Sequence, residues 1–262
     1  MDLATTEDER IKSVNAIIEQ FVDSCDAYLF CLTFSVAGIE SKGKEFKKMR
    51  FSKGERLWLG SDLETDKKMH ARMDIHELVN RCNKNGLFTT ELTKALLCMI
   101  YVLWDEIYRH KLAEAYGCCS EEIFCPLMGD LRKIRHCILH DKSFVNDNGL
   151  AFECLNWALP SGPLIITYEM FREFNDAVRG KGLNIRACIL APDLKRVLPL
   201  MSNKERKSFD EFYKDFGTKM EGKEWPGMKK FLENNTGKPG IKELTDRYAG
   251  FAVRNTSPHA RP

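Results

Sequence analysis

Gly129-Asp130-Leu131-Arg132-Lys133-Ile134-Arg135-His136-Cys137-Ile138-Leu139-His140-Asp141 is the stretch that decides how the rest of the chain is read. Leu131, Ile134 and Ile138 recur at three- and four-residue steps, the spacing of one buried helix face. Pro126 suits the first turn of that helix, and Asn146-Asp147-Asn148-Gly149 ends the segment. His136 and His140 are four apart and share a face away from the apolar stripe, with Arg132 also on the outer side and Arg135 at the border. Arg135 and His140 stand about 140° apart around a regular helix. They converge if the helix frays at His140, or if a second copy of the helix supplies the partner.

Working outward, three more long amphipathic segments appear. Glu7–Val36 carries Val14, Phe21, Cys25 and Leu32 on one side, with Thr5 or Thr6 as the expected cap. A second helix is expected from about Thr90 to Tyr116, where Gly117 fits a C-terminal cap. A fourth is expected over Tyr168–Val178, stopped by Gly180 and Gly182. Between the first two lies a glycine-containing, basic stretch from Gly38 to Thr90. Glu45–Phe51 and Glu55–Leu59 are expected to pair there as a hairpin, followed by a short helix over Met69–Cys82. Its lysines and arginines read as a solvated loop or as a phosphate-contacting patch. From Leu183 the character changes: a strand at Ile185–Leu190, a charged helix at Asn203–Phe216, a short helix at Trp225–Asn235, a turn at Lys238-Pro239-Gly240 and a tail from Asn255. The expected fold class is mainly α. Residues 1–182 form a helical domain with an insertion at about 38–90, and 183–262 form an α/β or helical extension.

Composition narrows the setting. The 262 residues are 44% hydrophobic and 30% charged, a balance that folds, and the formal charge is only +2. A nucleic-acid site must therefore come from local charge. The start, Met1–Arg10, is acidic and polar and has no secretory pattern. No unbroken apolar run long enough for a membrane span is evident. Cys25, Cys31, Cys98 and Cys137 fall in apolar helical patterns, as reduced, buried thiols do. A cytoplasmic location and no membrane partner are expected. Cys118, Cys119, Cys125 and His136 match no common zinc spacing, so no metal or cofactor is expected.

The outer face of the decisive helix suits cleavage of a phosphodiester. The reaction needs a base for the 2′-hydroxyl, an acid for the leaving 5′-oxygen and a cation for the phosphate. Histidine serves as base or acid near neutrality, and arginine grips two phosphate oxygens. Attack by a neighbouring hydroxyl needs no metal and is open only to RNA. The plain alternative is electrostatic: cations near a helix C-terminus are favoured by the helix dipole. His140 then caps carbonyls and Arg135 pairs with Asp130 or Asp141. Asp105 and Glu106 either orient a catalytic group or are solvated and ion-paired. Trp225 and Tyr248 either stack bases or pack in a core.

Arg135-His136-x3-His140 resembles the Arg-x(4–6)-His signature of the HEPN superfamily, including the polar residue directly after the arginine. The layout around it, Trp104-x3-Tyr108-Arg109-x2-Leu112-Ala113 before Leu127-Met128-Gly129-Asp130-Leu131-Arg132, is similar to stand-alone HEPN proteins of bacterial defence and toxin systems. The resemblance covers about Ile11 to Val178. It implies an antiparallel four-helix HEPN-like bundle that homodimerises, with the two motifs lining one cleft. It implies a metal-independent RNA endonuclease acting as toxin or antiviral effector, with RNA as substrate and a cognate antitoxin or regulatory protein as a further partner. Arg135 would anchor phosphate, His140 would be the acid–base residue, His136 would orient or polarise, and Arg132 and Lys133 would bind substrate. A non-catalytic HEPN-like module that binds RNA or a partner is the alternative. Lys142 stands where some HEPN toxins carry a modified tyrosine, which leaves regulation by that route without its acceptor.

Overall fold

The structure is a computed structural model that describes residues 7–60, 69–180, 183–187, 198–213, 227–238, 241–242 and 245. The chain is mainly helical, and its elements divide between two units, one of 1–116 with 125–185 and one of 117–124 with 186–262.

In the first unit, α1 (Glu7–Lys48) is a single helix of 42 residues, about 63 Å long. Its buried positions, Val14, Phe21, Cys25, Leu32, Val36 and Gly43, alternate seven- and four-residue steps and so form one straight seam. Gly43 serves close approach, because a Cβ there would lie 2.6 Å from the Cβ of Cys82. The helix therefore runs past Gly38 and Gly43 to Lys48, beyond the expected end near Val36. Residues 45–48 are helical, and the expected strand over Glu45–Phe51 does not form. The hairpin instead joins β1 (Arg56–Gly60) to β2 (Met69–Asp74), antiparallel, with Trp58 opposite Arg72. The helix expected over Met69–Cys82 is correspondingly shorter. Asp74 ends the strand and caps α2 (Ile75–Arg81), accepting from the Glu77 N–H at 3.0 Å.

The next helical run has three parts: α3 (Leu87–Leu103), a π-helical turn (Trp104–Tyr108) and α4 (Arg109–Tyr116), ended at Gly117 with φ +67°. After Cys125 come α5 (Pro126–Leu139) and α6 (Tyr168–Arg179). A short antiparallel pair links them, β4 (Phe144–Val145) with β5 (Gly162–Pro163). α1 packs on α3, α4 and α6, and α3 packs on α5 and α6. The rings of Trp104 and Tyr108 sit 5.5 and 5.1 Å from that of Phe21. The Tyr108 hydroxyl lies 2.7 Å from the Ser24 hydroxyl and donates to the Gln20 carbonyl. On α6, Asn175 and Arg179 bond to Asp26. Burial works against the Asp26 carboxylate, yet those two donors and the Arg179 charge hold its pKa below the ordinary value.

The second unit takes in Gly117–Phe124 as well as the C-terminal part. Its β3 (Ile123–Phe124) pairs antiparallel with β6 (Arg186–Ala187). Two helices, α7 (Asn203–Tyr213) and α8 (Met228–Asn234), contribute Phe209, Met228, Phe231 and Leu232 to buried positions. Ser202 and Glu205 cap α7 reciprocally. Thr5, Thr6, Trp225, Pro239, Gly240, Tyr248, residues 188–190 and the tail from Asn255 lie outside the described residues.

Two helical stretches, Asp8–Lys48 and Leu87–Tyr116, are long and apolar enough to cross a membrane by length and composition alone. Asp23 and Asp26 interrupt the apolar part of the first, so it is not an unbroken apolar run.

Candidate functional site

α5 forms where its residue spacing requires. Pro126 occupies the first turn, and Leu127, Met128, Leu131, Ile134 and Cys137 are buried along one side. The helix does not fray at its end. His140 keeps right-handed backbone angles, φ −105° and ψ −33°, and its N–H reaches the His136 carbonyl at 2.8 Å. The chain then reverses through Lys142 (φ 55°) and Ser143 (φ 58°), two left-handed residues with no glycine between them. Each such residue costs on the order of 1 kcal/mol. The reversal is held from several sides: Ser143 N–H donates to Cys137 O, Phe144 N–H to Asp141 O, and Leu164 N–H to Ser143 O at 2.7 Å. The Cys137 thiol donates to Phe144 O. His140 therefore stands at the tip of a fixed turn.

Intact helical geometry separates the two halves of the motif. The rings of His136 and His140 lie 4.7 Å apart, and both residues are exposed. Arg135 is half-buried and sets its guanidinium 5.3 Å from the centre of the Tyr101 ring on α3. Convergence of Arg135 and His140 by fraying does not occur within one chain. Neither Asp130 nor Asp141 pairs with Arg135. Among the described residues, the side chains of Arg132, Arg135, His136 and His140 have no hydrogen-bond or ion-pair partner.

Tyr101 is the site residue that sequence reasoning missed. It is 8% exposed, and its phenol meets several charges. Burial pushes its pKa up, as does the Asp105 carboxylate, against the pull of Arg132, Arg109 and Arg135. Asp105 forms an ion pair with Arg109 at 3.1 Å inside the π turn and α4, the ion-paired alternative for that carboxylate. Cys98, one turn before Tyr101, also feels Arg135, but burial dominates and raises its thiol. The available signal was positional: Tyr101, Asp105 and Arg109 recur at four-residue steps in the helix before the motif.

Lys133 is placed differently from Arg132. Its ammonium donates to the Ala151 carbonyl at 2.6 Å and to Asp130 at 3.2 Å, and lies 5.9 Å from the Phe152 ring centre. Asp130 is 1% exposed and accepts from the backbone N–H groups of Glu153, Cys154 and Leu155. This clamp fixes the segment after the reversal to α5. Lys133, expected to bind substrate, is engaged within the fold.

Among the described residues, no group of three or more His, Cys, Asp or Glu side chains is placed to hold a metal ion. The arrangement at the end of α5 offers an arginine with open donors, a second arginine and two titratable imidazoles, a set that can neutralise a phosphate and move protons. No protein-family model matches the chain, and neither does a curated protein or a solved structure.

Proposed function

We propose that the chain is a HEPN-like RNA endonuclease that cleaves by attack of the 2′-hydroxyl, without a metal, at a site completed by two copies of the protein. The observation that carries this reading is the set of open donors at the end of α5. Arg135 rests on Tyr101 with its N–H groups unpaired among the described residues, while His136 and His140 are exposed side by side on another part of the same helix end. These groups face solvent and are free to meet a ligand.

Arg135 and His140 are divided by an unfrayed helix, so a second copy is the remaining way to bring one chain's arginine to another chain's histidine. In that arrangement Arg135 holds the scissile phosphate and neutralises the charge that builds on its oxygens. His140 of one copy takes the 2′-hydroxyl proton or supplies the proton of the leaving 5′-oxygen. His136, its ring against that of His140, orients it. Arg132 extends the cationic surface along the RNA. Leu139, 54% exposed and next to His140, belongs to the face that a second copy would cover. The four-helix HEPN arrangement, a toxin or defence role, a cytoplasmic setting and an inhibitory partner protein belong to the same proposal and rest on the motif resemblance.

The test compares wild type, His140→Ala and Arg135→Ala on mixed cellular RNA with chelator present and matched DNA as control. The expected result is cleavage of RNA alone by wild type, with each variant slowed about 10²- to 10⁴-fold. Mixing the two inactive variants should restore part of the activity, since one hybrid site in a mixed dimer carries both intact residues. Intact RNA with folded, dimeric wild type would turn the reading to a non-catalytic RNA- or partner-binding module.

A further inference from the structure

The end of α1 and the hairpin that follows it carry features that the α5 site does not use. Between Lys42 and Arg56 the chain holds seven basic residues and two acidic ones, a local charge of 7 − 2 = +5 in a protein whose total is +2, so the remainder sums to −3. The two acids are occupied locally: Glu45 pairs with Lys42 at 2.8 Å, and Glu55 accepts from the Ser52 N–H. Lys44, Lys47, Lys48, Arg50, Lys53 and Arg56 are exposed and have no ion-pair partner among the described residues. The hairpin adds an aromatic platform. Trp58 is 55% exposed, and Arg72, directly across the strand pair, places its guanidinium 6.0 Å from the indole centre. Leu57 and its partner Met73 are the half-buried pair on the other face of the pleat. The hairpin leads through Asp74 into α2, and α2 meets α1 at Gly43, about 8 Å of helix from Lys48. Basic helix end and aromatic hairpin are thus joined in one unit.

We infer that this arm grips single-stranded polynucleotide, with Trp58 stacking a base and the lysines and arginines of the α1 end tracking the phosphates. The charge is of the sign that a phosphate backbone requires, and a partly exposed indole beside guanidinium is a sequence-tolerant surface for a base. An apolar wedge for a bilayer is not assembled here. Leu59 is exposed too, but strand alternation sets it on the face opposite Trp58, and the Trp58 face carries Arg56 and Arg72. The grip reads base faces and phosphates and ignores the sugar, so RNA and DNA single strands should bind alike.

The experiment titrates the full chain against a fluorescein-labelled, unstructured strand of about 12 nucleotides, in 2′-O-methyl RNA and in DNA, by anisotropy. The 2′-O-methyl strand has no free 2′-hydroxyl, so the result is independent of whether the chain cuts RNA, and either proposal can fail alone. Trp58→Ala should weaken binding of both strands about tenfold. A Lys47→Ala/Lys48→Ala pair should lower the slope of log affinity against log salt by about 1.4, two phosphate contacts' worth. Wild-type affinity and salt slope in both variants would overturn the inference. So would capture by phosphatidylserine-containing vesicles that depends on Trp58, with no binding to either strand.

Discussion

Two neighbouring turns of α5 treat their polar residues in opposite ways. In the turn around Asp130 and Lys133, carboxylate, ammonium and three backbone N–H groups satisfy one another. In the last turn, Arg135, His136 and His140 have donors with no partner among the described residues, beside a reversal built from left-handed Lys142 and Ser143. Both turns hang on the same buried stripe of Leu131, Ile134 and Cys137. Charge and position on the helix therefore do not separate a side chain engaged within the fold from one open to solvent; the difference lies in whether its hydrogen bonds close within the fold.

The comparison breaks first at Asp130. Asp130→Ala leaves the N–H groups of Glu153, Cys154 and Leu155 without their acceptor and should cost about 3 kcal/mol in urea unfolding. His140→Ala should stay within about 0.5 kcal/mol of wild type while it removes the proposed activity. Equal stability losses in the two variants would erase the distinction. Lys142→Gly sharpens it from the other direction. Glycine relieves the left-handed strain at some entropic cost, for a net gain of about 0.5–1 kcal/mol at the midpoint of unfolding. A loss would mean that the turn is relaxed as it stands. The smallest effect is at Glu169 on α6. A hydrogen bond from Lys84 leads, burial opposes it, and Asn85 adds a second donor, so the Glu169 carboxyl is held at about 2 against an ordinary 4.5. Because its folded pKa is the lower one, its contribution is present above about pH 4.5 and is lost as pH falls towards 2. Glu169→Gln should flatten that part of the acid unfolding curve, by little, since the pair is solvent-screened.

The α5 helix, most of its buried stripe and the outer placement of His136 and His140 were legible because they depend on spacing within a few residues; at its end Cys137 is buried and Ile138, expected on the stripe, is half-buried. What failed were inferences that need a distant partner. The first helix was expected to end near Val36, before the glycine-containing stretch, whereas Gly43 packs against Cys82 in an unbroken helix. The β1 strand was given its near neighbour instead of Met69–Asp74, because strand pairing leaves no local mark on charged, alternating residues. Lys133 looked like Arg132 in one dimension, and only the fold of residues 151–155 separates them. Tyr101 is 34 residues from Arg135, so their stacking had no signal in the motif itself.

The π turn at Trp104–Tyr108 has a consequence for how this chain can change over generations. It amounts to one surplus residue wound into a helical run, with the Arg109 N–H reaching back to Trp104 O. The wider turn takes up that residue without advancing the face, so Trp104, Tyr108 and Leu112 stay on the buried side at successive four-residue steps. Deleting one residue within Trp104–Tyr108 would restore an ordinary helix and leave Leu112 and Ala113 buried. The same deletion in Leu87–Leu103 would turn the downstream face by about 100°. In a family of such chains, a one-residue length difference between Tyr101 and Leu112 should fall inside the π turn.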